Sequence, residues 1–159
     1  MEEQRPGHST PEEFAVGKFG TRIKFSSFQA GAGCDESVLF DVRNPTLERF
    51  AISCMHRLQM DGRATAGNHY HNERDELLIP ETGSFQVTLL GIGTLERAEE
   101  FHLSAAERDG LFVPRKVGHR IIALEQPSSM LVLSSAPDAK EDMVKFDLAA
   151  RMALTQRKR

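Results

Sequence analysis

Asn68-His69-Tyr70-His71-Asn72-Glu73-Arg74-Asp75-Glu76, closed by Gly83 and answered by Pro114 and His119, is the stretch on which the fold turns. As a pattern it reads His-x-His-x4-Glu-x6-Gly, followed from Gly110 by Gly-x3-Pro-x4-His. Side chains alternate along an extended strand, so His69 and His71 share one face and Tyr70 points from the other. A reversal through Asn72 to Asp75 lets Glu76 open the next strand and aim its carboxylate at the same spot. His119 comes from elsewhere in the fold. Three imidazoles and a carboxylate form a ligand set suited to Fe(II), Mn(II), Ni(II), Zn(II) or Co(II), with room for water or a chelating substrate.

These two segments resemble the paired signature motifs of the cupin superfamily, small antiparallel β-barrels with a metal or acid/base site inside. On that resemblance His69, His71, Glu76 and His119 fill the usual ligand positions, and a divalent Zn, Fe, Mn or Ni ion is the implied cofactor. Four runs narrow the likeness: Gly-Asn-His-Tyr-His at 67–71, Gly-Ser-Phe-Gln-Val at 83–87, Gly-Leu-Phe-Val-Pro at 110–114 and Leu-Val-Leu-Ser-Ser at 131–135. Together they resemble the WxcM-like cupins over residues 52–148. That group includes sugar-nucleotide 3,4-ketoisomerases and the cupin half of a bifunctional capsular-sugar enzyme.

The resemblance implies a small-molecule substrate, a nucleotide-linked 4-keto-6-deoxy sugar, and proton removal beside its ketone. Reprotonation at another carbon gives isomerisation; on the opposite face it gives epimerisation. A chelated cation would neutralise the charge developing on oxygen; in a metal-free site, as the histidines of some sugar-nucleotide cupins work, His69 or His71 is the implied base. The ketoisomerases carry Gln at the position of Glu76, and an Arg-Gly-x-His-x-His-Lys run. Here Thr65 or Ala66 and Asn72 stand at the arginine and lysine positions, and Glu76 with Asn-His-Tyr-His is more similar to the metal-binding capsular-sugar cupin. Two other readings stay open: an Fe(II) cupin dioxygenase, and a non-catalytic small-molecule-binding barrel.

The 159 residues fit one domain, with 40% hydrophobic and 27% charged residues, the balance of a globular chain. A net charge of -3 provides no basic field for a nucleic-acid backbone. Cys34 and Cys54 lack the spacing of a zinc ribbon or redox motif and read as reduced thiols, Cys54 buried. The start at residues 1–7 is acidic and polar, and no run reaches the ~18 apolar residues of a membrane span. A cytoplasmic protein without membrane or nucleic-acid partners is the expectation.

In chain order, residues 1–13 read as a flexible leader and 14–159 as a single all-β domain, a jelly-roll barrel with a short C-terminal helix. The aromatics between Phe14 and Phe28 predict one or two early strands. In cupins such strands often cross to a second subunit, and a homodimer is expected. Val38 to Val42 reads as a strand ended by Asn44-Pro45. From Phe50, the alternation of Phe50, Ile52, Cys54, His56 and Leu58 predicts a half-buried strand. Leu77 to Ile79 runs inward until Pro80 to Gly83 turns the chain. Phe85, Val87 and Leu89 predict a one-sided strand, Glu99 to Leu103 its partner, and Leu111 to Val113, His119 to Leu124 and Met130 to Leu133 complete the barrel. Asp138, with Glu141 as capping-box partner, predicts a helix through Met143, Val144, Phe146 and Leu148, ending in the solvated tail 157–159.

Tyr70 is expected to pack away from the histidines. His56 faces inward, either as pocket lining or as a hydrogen-bonded core group. Arg57, Arg63, Arg115, Lys116 and Arg120 are candidates to meet a diphosphate, with surface solvation as the ordinary alternative. His8 and His102 read as incidental, and Glu96 to Glu100 as a solvated hairpin face.

Overall fold

The computed structural model of the chain describes residues 13–41, 43–94 and 96–156. Its strands are β1 Glu13–Val16, β2 Thr21–Lys24, β3 Ser26–Gly31, β4 Cys34–Val38, β5 Cys54–Met60, β6 Thr65–His71, β7 Glu76–Thr82, β8 Ser84–Gly91, β9 Glu99–Ser104, β10 Asp109–Val113, β11 Val117–Ala123, β12 Ser128–Ser134 and β13 Met143–Lys145. Helix α1, Leu148–Gln156, follows. One sheet has the order β1-β2-β10-β7-β12-β5, the facing sheet β13-β6-β11-β8-β9, and β3 pairs with β4 as a separate hairpin. The pairings are antiparallel. This is the all-β jelly-roll barrel with a short C-terminal helix that the sequence predicts.

The apolar pattern sets the inside of the barrel. Phe85, Val87 and Leu89 on β8 are fully buried and stand opposite Ala123, Ile121 and His119 on β11. Opposite residues share a face, so His119 points into the barrel. In the facing sheet, Leu78 joins this inner cluster with Val132 and Met130. Leu77 and Ile79 instead face outward into a second cluster with Ile23, Phe25, Leu47, Phe50 and Leu133. Strand β7 is therefore buried on both sides, which matches its unbroken apolar run. Each such Leu, Ile or Phe contributes on the order of 1.5–3 kcal/mol by leaving water.

A bulge in β6 aims the first histidine. His69 lies opposite His119, but Gly67 lies opposite Arg120, so one step on β11 spans two on β6. Gly67 and Asn68 take up the extra residue with φ of 88° and 60°. A Cβ on Gly67 would sit 2.6 Å from the His119 carbonyl oxygen, so glycine is required there.

Several boundaries differ from expectation. The strand expected over 38–42 is instead β4, ending at Val38; Leu39 to Asp41 are irregular, and Val42 lies outside the described residues. The Asn44 side chain accepts from Thr46 N at 2.9 Å and turns the chain so that Leu47 and Phe50 cover the outer cluster. The strand expected from Phe50 therefore begins only at Cys54, leaving Ile52 47% exposed. Cys54 is half-buried, not buried, because β5 is a sheet edge; Cys34 is exposed, and both are free thiols. Strand β7 passes through Pro80 to Thr82, where a register shift against β12 accommodates the missing N–H.

The C-terminal helix begins later than the cap at Asp138 predicts: its first residue is Leu148. Residues Lys140–Asp142 form a 3-10 turn, and β13 pairs with Tyr70 and its neighbours on β6. Without β13 the outer side of β6 would present an unpaired edge, and ladder bonds outweigh the local helical preference. Asp147 Oδ1 accepts from Ala150 N at 3.0 Å, and so serves as the cap. Phe146 folds over Gly118 and meets Tyr70 edge-on at 5.8 Å. Tyr70 thus packs away from the histidines, as expected. The expected leader, except Glu13 in β1, and the tail 157–159 lie outside the described residues.

Candidate active site

Three rings meet inside the barrel. His69 and His71 project from β6 with centroids 4.7 Å apart, and His119 on β11 stands 4.7 Å from His69 and 5.6 Å from His71. One nitrogen of each ring lies within 4.8 Å of the others. His71 and His119 are each 3% exposed, whereas His69 is half-buried and is the ring that meets solvent. Glu76, the first residue of β7, reaches across from the facing sheet. Its Oε1 is 3.3 Å from His71 Nε2 and its Oε2 is 3.5 Å from His119 Nε2. The four residues named by the sequence therefore converge, with the carboxylate bracing two of the three imidazoles.

Burial lowers the His69 ring first, and His119 and His71 lower it further, to about 4, against an opposing pull from Glu76. His119 is also pushed below its ordinary value, chiefly by burial. Burial alone would raise the Glu76 carboxyl. The hydrogen bond from His71 and the charges of His119, His71 and Arg74 outweigh it and hold Glu76 at about 2. Near neutral pH His69 is thus uncharged and Glu76 ionised. Three clustered imidazole nitrogens beside an ionised carboxylate fit a divalent cation, and equally suit proton abstraction by an uncharged imidazole.

Sequence reasoning missed three residues around His71. Arg74, 5% exposed, donates from Nε to His71 Nδ1 at 3.1 Å and from Nη1 to Asp138 Oδ1 at 2.7 Å. Asp142 Oδ1 accepts from the backbone N–H groups of Asn72 at 2.8 Å and Glu73 at 2.6 Å, which fixes the reversal between β6 and β7. Arg74 looks in sequence like one more charge in a turn, and Asp142 acquires its role only because β13 returns to β6.

The other candidates are placed as follows. Arg57 makes a two-pronged bond to Glu81 at 2.7 and 2.8 Å. Arg115 does the same with Asp75 at 3.1 and 2.9 Å. Arg63 and Lys116 are exposed turn residues with positive φ. Arg120 lies half-buried on β11, on the face opposite to His119. His56 is exposed on β5, which excludes the core-group reading, and His102 is exposed on β9; His8 lies outside the described residues. Glu99 is not simply solvated: its carboxylate accepts from Lys18 N at 2.6 Å and Phe19 N at 2.7 Å. Among the described residues no helix is long and apolar enough to cross a membrane.

The family described as WxcM-like, C-terminal (FdtA) matches residues 50–149. No protein of curated function matches the sequence. Among solved structures, the rmlC epimerase of Mycobacterium tuberculosis superimposes with a TM-score of 0.78 at 13% identity, over 91% of this chain and 77% of that one. NovW, a 4-keto-6-deoxy sugar epimerase of Streptomyces spheroides, gives 0.75 at 13% identity over 89% and 76%. QdtA, a sugar 3,4-ketoisomerase of Thermoanaerobacterium thermosaccharolyticum in complex with TDP, gives 0.68 at 17% identity over 90% and 98%. At these identities the likeness establishes the shared barrel.

Proposed function

The chain belongs to the WxcM-like, C-terminal family, and from that premise we propose that it is a sugar-nucleotide isomerase or epimerase, acting on a nucleotide-linked 4-keto-6-deoxy sugar by proton removal beside the ketone. The observation that carries this reading is the asymmetry of the triad. His69 is uncharged and open to solvent, while His71, His119 and Glu76 form a buried wall behind it. An uncharged imidazole at the mouth of an apolar barrel is placed to take a proton from a carbon acid. His71, whose Nε2 faces Glu76 at 3.3 Å, stands one ring deeper as the second acid/base group. The two buried rings and Glu76 exclude water behind the reacting carbon, which strengthens electrostatic stabilisation of the enediolate. Those roles belong to the metal-free site; in the alternative, His69, His71 and His119, with Glu76 beside them, would hold a divalent ion such as Zn, Fe, Mn or Ni, which when bound supplies positive charge at the ketone oxygen in place of the acid/base role of the rings. A cytoplasmic homodimer completes the reading. Structural neighbours named as a 3,4-ketoisomerase and a 4-keto-6-deoxy sugar epimerase support the substrate class.

Incubation of the protein with a nucleotide-linked 4-keto-6-deoxyglucose in deuterated water, followed by NMR, tests this directly. Deuterium should enter C3, and His69→Ala should abolish the exchange while the circular dichroism spectrum is kept. A folded protein that leaves C3 protonated, or a His69→Ala variant with undiminished exchange, removes the proposal.

A further inference from the structure

At His71 the ring nitrogen that does not face Glu76 has two competing partners. Arg74 Nε lies 3.1 Å from His71 Nδ1, Asp142 Oδ2 lies 3.4 Å from the same nitrogen, and Arg74 Nε and Asp142 Oδ2 are 3.3 Å apart. Asp142 cannot swing away, because Oδ1 is committed to the backbone of Asn72 and Glu73. Its Oδ2 is buried and, among the described residues, has no hydrogen-bond partner. Arg74 is anchored in turn by Asp138.

An uncharged imidazole has one N–H and one lone pair. When Nδ1 accepts from Arg74, the proton is on Nε2 and points to Glu76 Oε1, 3.3 Å away. When Nδ1 carries the proton, Asp142 Oδ2 is its acceptor, and the Nε2 lone pair is freed on the side of Glu76, whose other oxygen meets His119 Nε2. A histidine that holds a metal needs the second arrangement, with a carboxylate or carbonyl behind it.

We infer that Arg74 and Asp142 are positioning residues that select between these two forms of His71: Arg74 holds Nε2–H toward Glu76, and Asp142 takes Nδ1–H when a divalent cation occupies the three histidines. The proton count of the ring is the same in both, one proton leaving Nε2 to water and one reaching Nδ1 from water. Buried Oδ2 is thus the vacant acceptor that the second form uses. This inference goes beyond the sugar-nucleotide reading, and its test involves no substrate, so either can fail without the other.

Long-range proton–nitrogen correlation spectra of the full chain labelled with 15N-histidine, assigned with His71→Asn, report the ring form. The cation-free protein should show His71 with Nε2–H. Saturation with Zn(II) should move the proton to Nδ1, and Arg74→Met should show Nδ1–H without Zn(II). Asp142→Asn should weaken Zn(II) binding by about 10- to 100-fold in calorimetry. Nδ1–H in the cation-free wild type, an unmoved ring in Arg74→Met, or a lack of Zn(II) binding to the wild type would overturn the inference. Wild type and Arg74→Met decide it if Asp142→Asn does not fold.

Discussion

At His69, burial and two neighbouring imidazoles act in the same direction and bring the ring to about 4. If it is the base, kcat/KM should stay level from neutral pH down to about 5 and fall as pH drops through about 4. A pH–rate profile with its acid limb near the ordinary histidine value of about 6.5 would contradict this. The same ring affects stability. Its folded value lies below its unfolded one, so between the two the unfolded chain binds more protons. Its contribution is whole above about 6.5 and is lost as pH falls toward about 4. Glu76, held at about 2, adds a further loss as pH falls from about 4.5. Urea midpoints measured against pH should decline over both windows, and His69→Ala should shrink the upper one to the part that His119, also lowered by burial, contributes. The pairing of His69 with His71 is legible in the sequence because alternation along a strand is a local property. Arg74 and Asp142 are not, because their contact joins residues some 70 positions apart, as in the bond from Asn72 N to Asp142.

Among the elements, β6 carries the most constraint per residue. Its bulge keeps Ala66 and His69 on the inward face although they are three positions apart, opposite Ile121 and His119. Gly67→Ala should cost about 3 kcal/mol or more, since strain at positive φ adds to a Cβ placed 2.6 Å from the His119 carbonyl oxygen. Gly93→Ala, at φ +73° with open space around it, carries only the conformational part, about 1 kcal/mol. Chemical denaturation of the pair checks the difference; equal losses would mean that the close approach is relieved at little cost. Strands β7, β8, β10, β11 and β12 were readable from apolar alternation and turn residues. Strand β13 was not, because Met143, Val144 and Phe146 fit a helical stripe equally well, and only the open edge of β6 decides between the two.

For the whole molecule, β1 and β2 extend the chain's own sheet through β10, while the β3–β4 hairpin joins neither barrel sheet. If that hairpin and its neighbours meet a second copy, sedimentation equilibrium should give twice the chain mass of 17.8 kDa, and a monomer at micromolar concentration would remove the homodimer. Composition and motif spacing made the barrel legible as a class. They did not reveal that residues 44–50 would wrap the back of the six-stranded sheet, since a loop that turns on Asn44 has no periodicity to read. That wrapping leaves one sheet with two separate apolar faces, the inner one lining the reactive chamber and the outer one closed by Leu47 and Phe50. Changes at Leu47 and Phe50, which lie on loops outside β7, should therefore move thermal tolerance more than turnover. A combinatorial library confined to that rear layer can harden the scaffold for use as a biocatalyst, since none of His69, His71, Glu76 and His119 belongs to it.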